Sequence, residues 1–124
     1  MTNLLFVYGT LKKGKGNSGF LKDAFFLNTA KIKGVTMYNL GAFPAVVENG
    51  EYTVSGEVYK IDTKILKHVD ALEGHPSFYT RKIKGLDTGQ SAWVYFLPKK
   101  AIIPCCQIIK EGVWNAKWPV KQCP

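Results

Sequence analysis

Arginine is nearly missing from this chain: Arg81 stands alone beside sixteen lysines. The lysines are scattered among apolar residues, a pattern that serves solubility better than a nucleic-acid surface, so no nucleic-acid partner is expected. Cysteine is scarce too. Cys105 and Cys106 are adjacent and Cys123 is the third, with no CxxC spacing and no neighbouring His, which excludes a disulfide framework and speaks against zinc or any other metal. Long apolar runs are lacking, so no membrane helix is expected. The start, MTNLLFVYGTLKKG, has no basic stretch before its apolar run and no small-residue cleavage site, which argues against a signal peptide and for a reducing, cytoplasmic setting. A phosphate loop is excluded as well, because Gly14 and Gly16 are not followed by the GxxxxGK[ST] pattern.

What is present is an ordinary globular composition: 124 residues, 46% hydrophobic and 21% charged, enough for one domain over residues 1–124. The formal charge of +8 sits at the two ends. Residues 1–33 carry six Lys and one Asp, residues 88–124 five Lys and one Glu, and the middle is near neutral. The run Asn3–Tyr8, closed by Gly9, predicts a buried strand entering a turn. Asn17 or Ser18 then caps a short helix to about residue 24. Strands are expected over 25–34, 35–40 and 44–48, broken by Gly34, Gly41 and Pro44, and again over 52–60 with a bend or bulge at Gly56. Asp62 or Thr63 caps a helix whose apolar positions are Ile65, Leu66, Val69 and Leu72, with Gly74 and Pro76 as its stop. Residues 78–86 and 90–97 form a hairpin around Leu86-Asp87-Thr88-Gly89, and residues 98–124 a packed, largely irregular tail. The class is α+β: a small mixed curved sheet or beta-barrel flanked by a few helices.

Two places invite chemistry. Glu73 lies four residues past Val69 and seven past Leu66, so it projects toward the apolar face of the helix, in a last turn whose dipole disfavours negative charge. Burial and dipole both raise a carboxyl pKa toward the range useful for proton transfer. The alternative is a structural Glu, turned outward by fraying or paired with Arg81 or Lys82. The second place is Tyr8-Gly9-Thr10-Leu11, a strand end whose backbone amides can converge on an anion; the alternative is a plain strand-to-loop turn. His68, beside Lys67, belongs to the exposed side of the helix. His75 either shapes a pocket near Glu73 or is an ordinary loop residue.

These features fall into a known pattern. The segments Phe6-Val7-Tyr8-Gly9-Thr10-Leu11-Lys12-Lys13-Gly14 with Asn17, Gly34–Val47, and Val54–Ile61 leading into Leu66, Asp70, Leu72-Glu73-Gly74 and Phe78–Arg81 come in a characteristic order. With Ile108–Trp114 as a weaker fourth, the chain resembles the gamma-glutamylcyclotransferase-like family over about residues 4–114, nearest its small gamma-glutamylamine branch. At Val113 it departs from the family, which often carries an acid there. The resemblance implies a small beta-barrel with a side pocket. It implies that the loop matching Tyr8–Leu11 binds the glutamyl alpha-carboxylate through backbone amides, that Glu73 is the acid/base, and that Tyr79 lines the same pocket. The implied partner is a small-molecule gamma-glutamyl substrate, whose own alpha-amine attacks the gamma-carbonyl to give 5-oxoproline without a cofactor. The competing expectation is a non-catalytic binding module on the same fold, its basic ends meeting an acidic partner.

Overall fold

The computed structural model describes residues 3–9, 18–41, 43–102 and 107–114. The first strand, β1 (Leu4–Val7), is short and buried on both sides: Phe6 joins one apolar cluster and Leu5 and Val7 the other. That two-sided burial is why the segment reads as a continuous apolar run rather than an alternating one. The expected helix near residue 18 is a single 3₁₀ turn, Ser18–Leu21, and Asn17 lies outside the described residues.

The strands expected as separate pieces join into two long ones, β2 (Phe25–Asn39) and β3 (Pro44–Lys60), paired antiparallel. Gly34 and the 49–51 segment do interrupt the ladder, but as irregularities within it. Gly34 takes φ +76°, Asn49 takes φ +64°, and Val35 pairs with both Glu48 and Tyr52. Extra residues on one strand bend the pair without ending it. Gly56 is not a bulge: Ala30 pairs with Gly56, Thr29 with Glu57 and Lys31 with Ser55, in unbroken register. Glycine is needed there for space, since a Cβ would stand 2.4 Å from the Val7 carbonyl oxygen and 2.6 Å from the Phe6 ring.

The helix α1 (Thr63–Glu73) forms where expected, with Asp62 as its N-cap, the carboxylate accepting from Ile65 N–H at 2.8 Å. Ile65 and Val69 are buried against the sheet, and Leu66 and Leu72 pack at the margin. The hairpin β4 (Thr80–Gly85) and β5 (Ser91–Phe96) follows, its turn closed by Leu86 N–H to Gln90 O at 2.8 Å. A 3₁₀ turn at Lys99–Ala101 and the two-residue β6 (Gln107–Ile108) complete the described elements. Cys105, Cys106 and Cys123 fall outside them.

The six strands make one mixed sheet in the order β4-β5-β1-β3-β2-β6. Bending lets β3 serve two neighbours. Its C-terminal half pairs with β1, while its N-terminal half approaches β5, where Leu97 N–H reaches Val46 O at 3.0 Å. At the other side the β4–β5 turn grips β2: Lys31 N–H donates to Asp87 Oδ1 and Asp87 N–H to Lys31 O. The sheet is thus a half-barrel. Its concave core holds Phe6, Met37, Val54, Val58, Val94 and Trp114, and α1 covers a second core of Leu5, Val7, Tyr59, Ile61 and Leu97. Among the described residues α1 is the single α-helix, so the few flanking helices expected reduce to one and two 3₁₀ turns.

Candidate active site

Glu73 is the last residue of α1. Gly74 follows in the left-handed conformation at φ +68°, its N–H turned back to Ala71 O and that of His75 to Asp70 O at 3.0 Å. This closure satisfies the last carbonyls of the helix and reverses the chain sharply. Phe78 N–H to Gly74 O and Tyr79 N–H to Glu73 O then fold residues 74–79 against the helix end. The folded loop explains why β4 starts at Thr80 and not at Phe78. It also sets Tyr79 beside the residue it follows by six positions.

Three phenols stand around Glu73. Its carboxylate acts on Tyr8, Tyr79 and Tyr95, in each case disfavouring ionisation of the phenol. Burial is the larger cause of the upward shift in all three. Each hydroxyl is anchored: Tyr8 donates to Tyr95 O at 2.7 Å, Tyr79 to Pro44 O at 2.8 Å, and Tyr95 to Asp70 Oδ1 at 2.5 Å. The aromatic walls come from the residue just after β1, from the loop before β4, and from β5, so three segments distant in sequence converge on one helix end. The same burial acts on Glu73, whose pKa is pushed up from 4.5 to about 7. Such a group is divided between acid and carboxylate near neutrality, the condition for taking a proton and giving it back.

Neither base named as a structural partner meets it. Arg81 Nε pairs with Asp70 Oδ1 at 2.8 Å, and Lys82 Nζ pairs with Glu48 Oε1 at 2.6 Å. Burial alone would raise Asp70, but the hydrogen bonds from Arg81 and Tyr95 outweigh it and hold the carboxyl below its usual range. His75 sits edge-on to Tyr95 and accepts the Arg81 backbone N–H on Nδ1 at 3.2 Å. His68 is exposed.

At the end of β1, Gly9 lies against Pro44, whose ring carbon would be 2.9 Å from a Cβ at that position. Gly9 therefore stands against the residue whose carbonyl holds Tyr79. Thr10 and Leu11 lie outside the described residues. Tyr95 is the site residue that sequence reasoning missed. Its signal was the alternation of β5, which puts Trp93, Tyr95 and Leu97 on the face that packs toward α1. Among the described residues no group of three His, Cys, Asp or Glu is arranged to hold a metal, and no helix is long and apolar enough to cross a membrane.

Residues 5–116 match the family model described as gamma-glutamyl cyclotransferase, AIG2-like. The chain belongs to that family. It is 43% identical over 114 residues to a Methanocaldococcus jannaschii protein provisionally named a gamma-glutamylcyclotransferase, covering 87% of this chain and 91% of that one. It is 36% identical over 110 residues to the gamma-glutamylcyclotransferase family protein YtfP of Escherichia coli, 89% of this chain and 94% of YtfP. The solution structure of YtfP superposes with a TM-score of 0.69, over 90% of this chain and 95% of YtfP, at 35% identity. An uncharacterised Pyrococcus horikoshii protein superposes with a TM-score of 0.75 at 28% identity, over 90% and 89% of the two chains. By family this is an enzyme of the gamma-glutamylcyclotransferase type, acting on small gamma-glutamyl substrates, and the half-barrel is the family fold.

Proposed function

We propose that this protein, acting as a single domain, cleaves a gamma-glutamyl amide by attack of the substrate's own alpha-amine, releasing 5-oxoproline and a free amine. One observation carries the reading: a carboxyl with its pKa raised to about 7 at the end of α1, ringed by three phenols and left without a cation among the described residues. Backbone amides of the Tyr8–Leu11 segment anchor the alpha-carboxylate and fold the glutamyl chain so that the amine lies against its gamma-carbonyl. The Glu73 carboxylate takes a proton from the alpha-ammonium. The freed nitrogen forms the C–N bond of the ring, and the tetrahedral centre collapses as the bond to the departing nitrogen breaks. Glu73 passes the proton to that nitrogen and relays the second one shed by the ring nitrogen. Two protons leave the alpha-nitrogen and two arrive on the amine, so no water, metal or redox partner enters the balance.

The Lys12-Lys13-Gly14 run supports the gamma-glutamylamine branch, and the absence of a disulfide framework supports a cytoplasmic setting. The test is 5-oxoproline release from gamma-glutamyl-epsilon-lysine, L-gamma-glutamyl-L-alanine and glutathione, by wild type and Glu73→Gln. Release from the first substrate that the variant abolishes is the expected result. No release from any of the three refutes the function, and an equally active Glu73→Gln refutes the role of Glu73.

A further inference from the structure

Asp70 precedes Glu73 by three residues, so the two carboxylates share a face of α1. Their surroundings are opposite. Among the described residues Glu73 meets phenols and no cation, whereas Asp70 Oδ1 accepts both Arg81 Nε at 2.8 Å and the Tyr95 hydroxyl at 2.5 Å. The Arg81 guanidinium is held a second time, 4.2 Å over the Trp93 ring, and its backbone N–H is bound by His75. Asp70, Arg81 and Glu73 all act on the Tyr95 phenol, so both carboxylates and the guanidinium border one hydroxyl. A guanidinium released in such a place pairs with the nearest free carboxylate.

We infer that Asp70 is a positioning residue for Glu73: by keeping the Arg81 guanidinium and the Tyr95 hydroxyl on its own carboxylate, it leaves the Glu73 carboxyl unpaired and able to exchange a proton with substrate. The inference rests on the acid/base reading of Glu73 and adds to it the means by which that group stays free. Among the described residues, the titratable and charged groups packed around Glu73 are Tyr8 just after β1, Tyr79 of the loop before β4, Tyr95 of β5, and Asp70 on α1 itself. Arg81 of β4 and His75 of the loop stand behind Asp70. Lys82 and Lys84 of β4 are both engaged by Glu48 of β3, so Arg81 is the β4 cation held by Asp70.

An opposite charge within hydrogen-bonding range lowers a carboxyl by roughly 1–3 pH units. The experiment is a ¹³C carboxyl titration of Glu73 in wild type, Asp70→Asn, Asp70→Asn/Arg81→Gln and Arg81→Gln, with the pH–rate profile of 5-oxoproline release measured alongside. Asp70→Asn should lower the Glu73 midpoint by roughly 1–3 units, and the acid limb of the profile should move with it. The double variant should restore the midpoint. An unmoved midpoint in folded Asp70→Asn overturns the inference. So does a lowered midpoint that persists in the double variant, which makes the effect one of Asp70's own charge. Arg81→Gln decides the matter even where Asp70→Asn does not fold: a Glu73 midpoint that rises by more than about one unit means that Arg81 already acts on Glu73 in the wild type. If wild type releases no 5-oxoproline, the proposed function fails, while the carboxyl titration still decides the role of Asp70.

Discussion

Glu73→Gln should raise stability at alkaline pH and leave it nearly unchanged in acid. In the folded chain the Glu73 carboxyl titrates near 7 against an ordinary value of 4.5, and burial is the cause. The native state therefore holds a proton that the unfolded chain has already lost between those two values. Below the unfolded value both states are protonated, and Glu73 sets no pH dependence. As pH rises toward 7 the unfolded state is favoured increasingly, and above 7 the full penalty of a buried carboxylate applies. At about 1.4 kcal/mol per unit, the displacement corresponds to about 3 kcal/mol. Glutamine keeps the shape and carries no charge, so it removes that penalty. Urea unfolding at pH 4 and pH 8 reads the effect directly: the midpoint of Glu73→Gln should exceed wild type by roughly 1–2 M at pH 8 and match it closely at pH 4. Turnover of a gamma-glutamyl amide should fall by roughly 10²–10⁴ in the same variant. A Glu73→Gln protein destabilised at both pH values, with turnover preserved, refutes the reasoning and makes Glu73 a structural anchor.

Asp62→Ala should lower stability by about 1 kcal/mol in a thermal melt, because it removes the acceptor for the Ile65 N–H at the start of α1. Gly56→Ala should destabilise by more than about 1 kcal/mol, since its Cβ collides with the Val7 carbonyl and the Phe6 ring, neither of which can move without disturbing β1. Thr10→Pro removes a backbone donor from the expected carboxylate nest, so it should weaken 5-oxoproline binding in calorimetry far more than Thr10→Ala; equal, small effects refute the nest.

Legibility in the sequence followed the range of the forces involved. Helix α1 was readable because its determinants are local: the Asp62 cap, the Ile65–Val69 spacing and the Gly74 stop act within a dozen residues. The β4–β5 hairpin was readable for the same reason. Continuity of β2 and β3 was not, because Gly34 and the 49–51 segment carry the local marks of a chain break while the cross-strand ladder holds on both sides of them. Gly56 misled in the opposite direction. A strand glycine suggests a bulge, but what demands it is the approach of Phe6 from a strand 50 residues earlier. Glu73, Tyr8 and Tyr79 were named as candidates from helix phase and family resemblance, whereas Tyr95 and the partner of Arg81 depend on which strand lies under α1.

That last dependence bears on the two readings of Glu73 left open by sequence. Arg81 and Lys82 were its candidate partners, and helix spacing alone gives Asp70 and Glu73 equal claim to them. Strand alternation on β4 separates the two bases: Arg81 pairs with Tyr95 in the ladder and meets Asp70, while Lys82, one position on, reaches Glu48. With both bases engaged elsewhere, Glu73 keeps its burial without an ion pair among the described residues to offset it. A carboxylate so placed destabilises the native state above neutrality, and no contact among the described residues gives it a structural return. Proton transfer is the chemistry for which such a group is suited, and it is the reading that accounts for its tolerance at the end of α1.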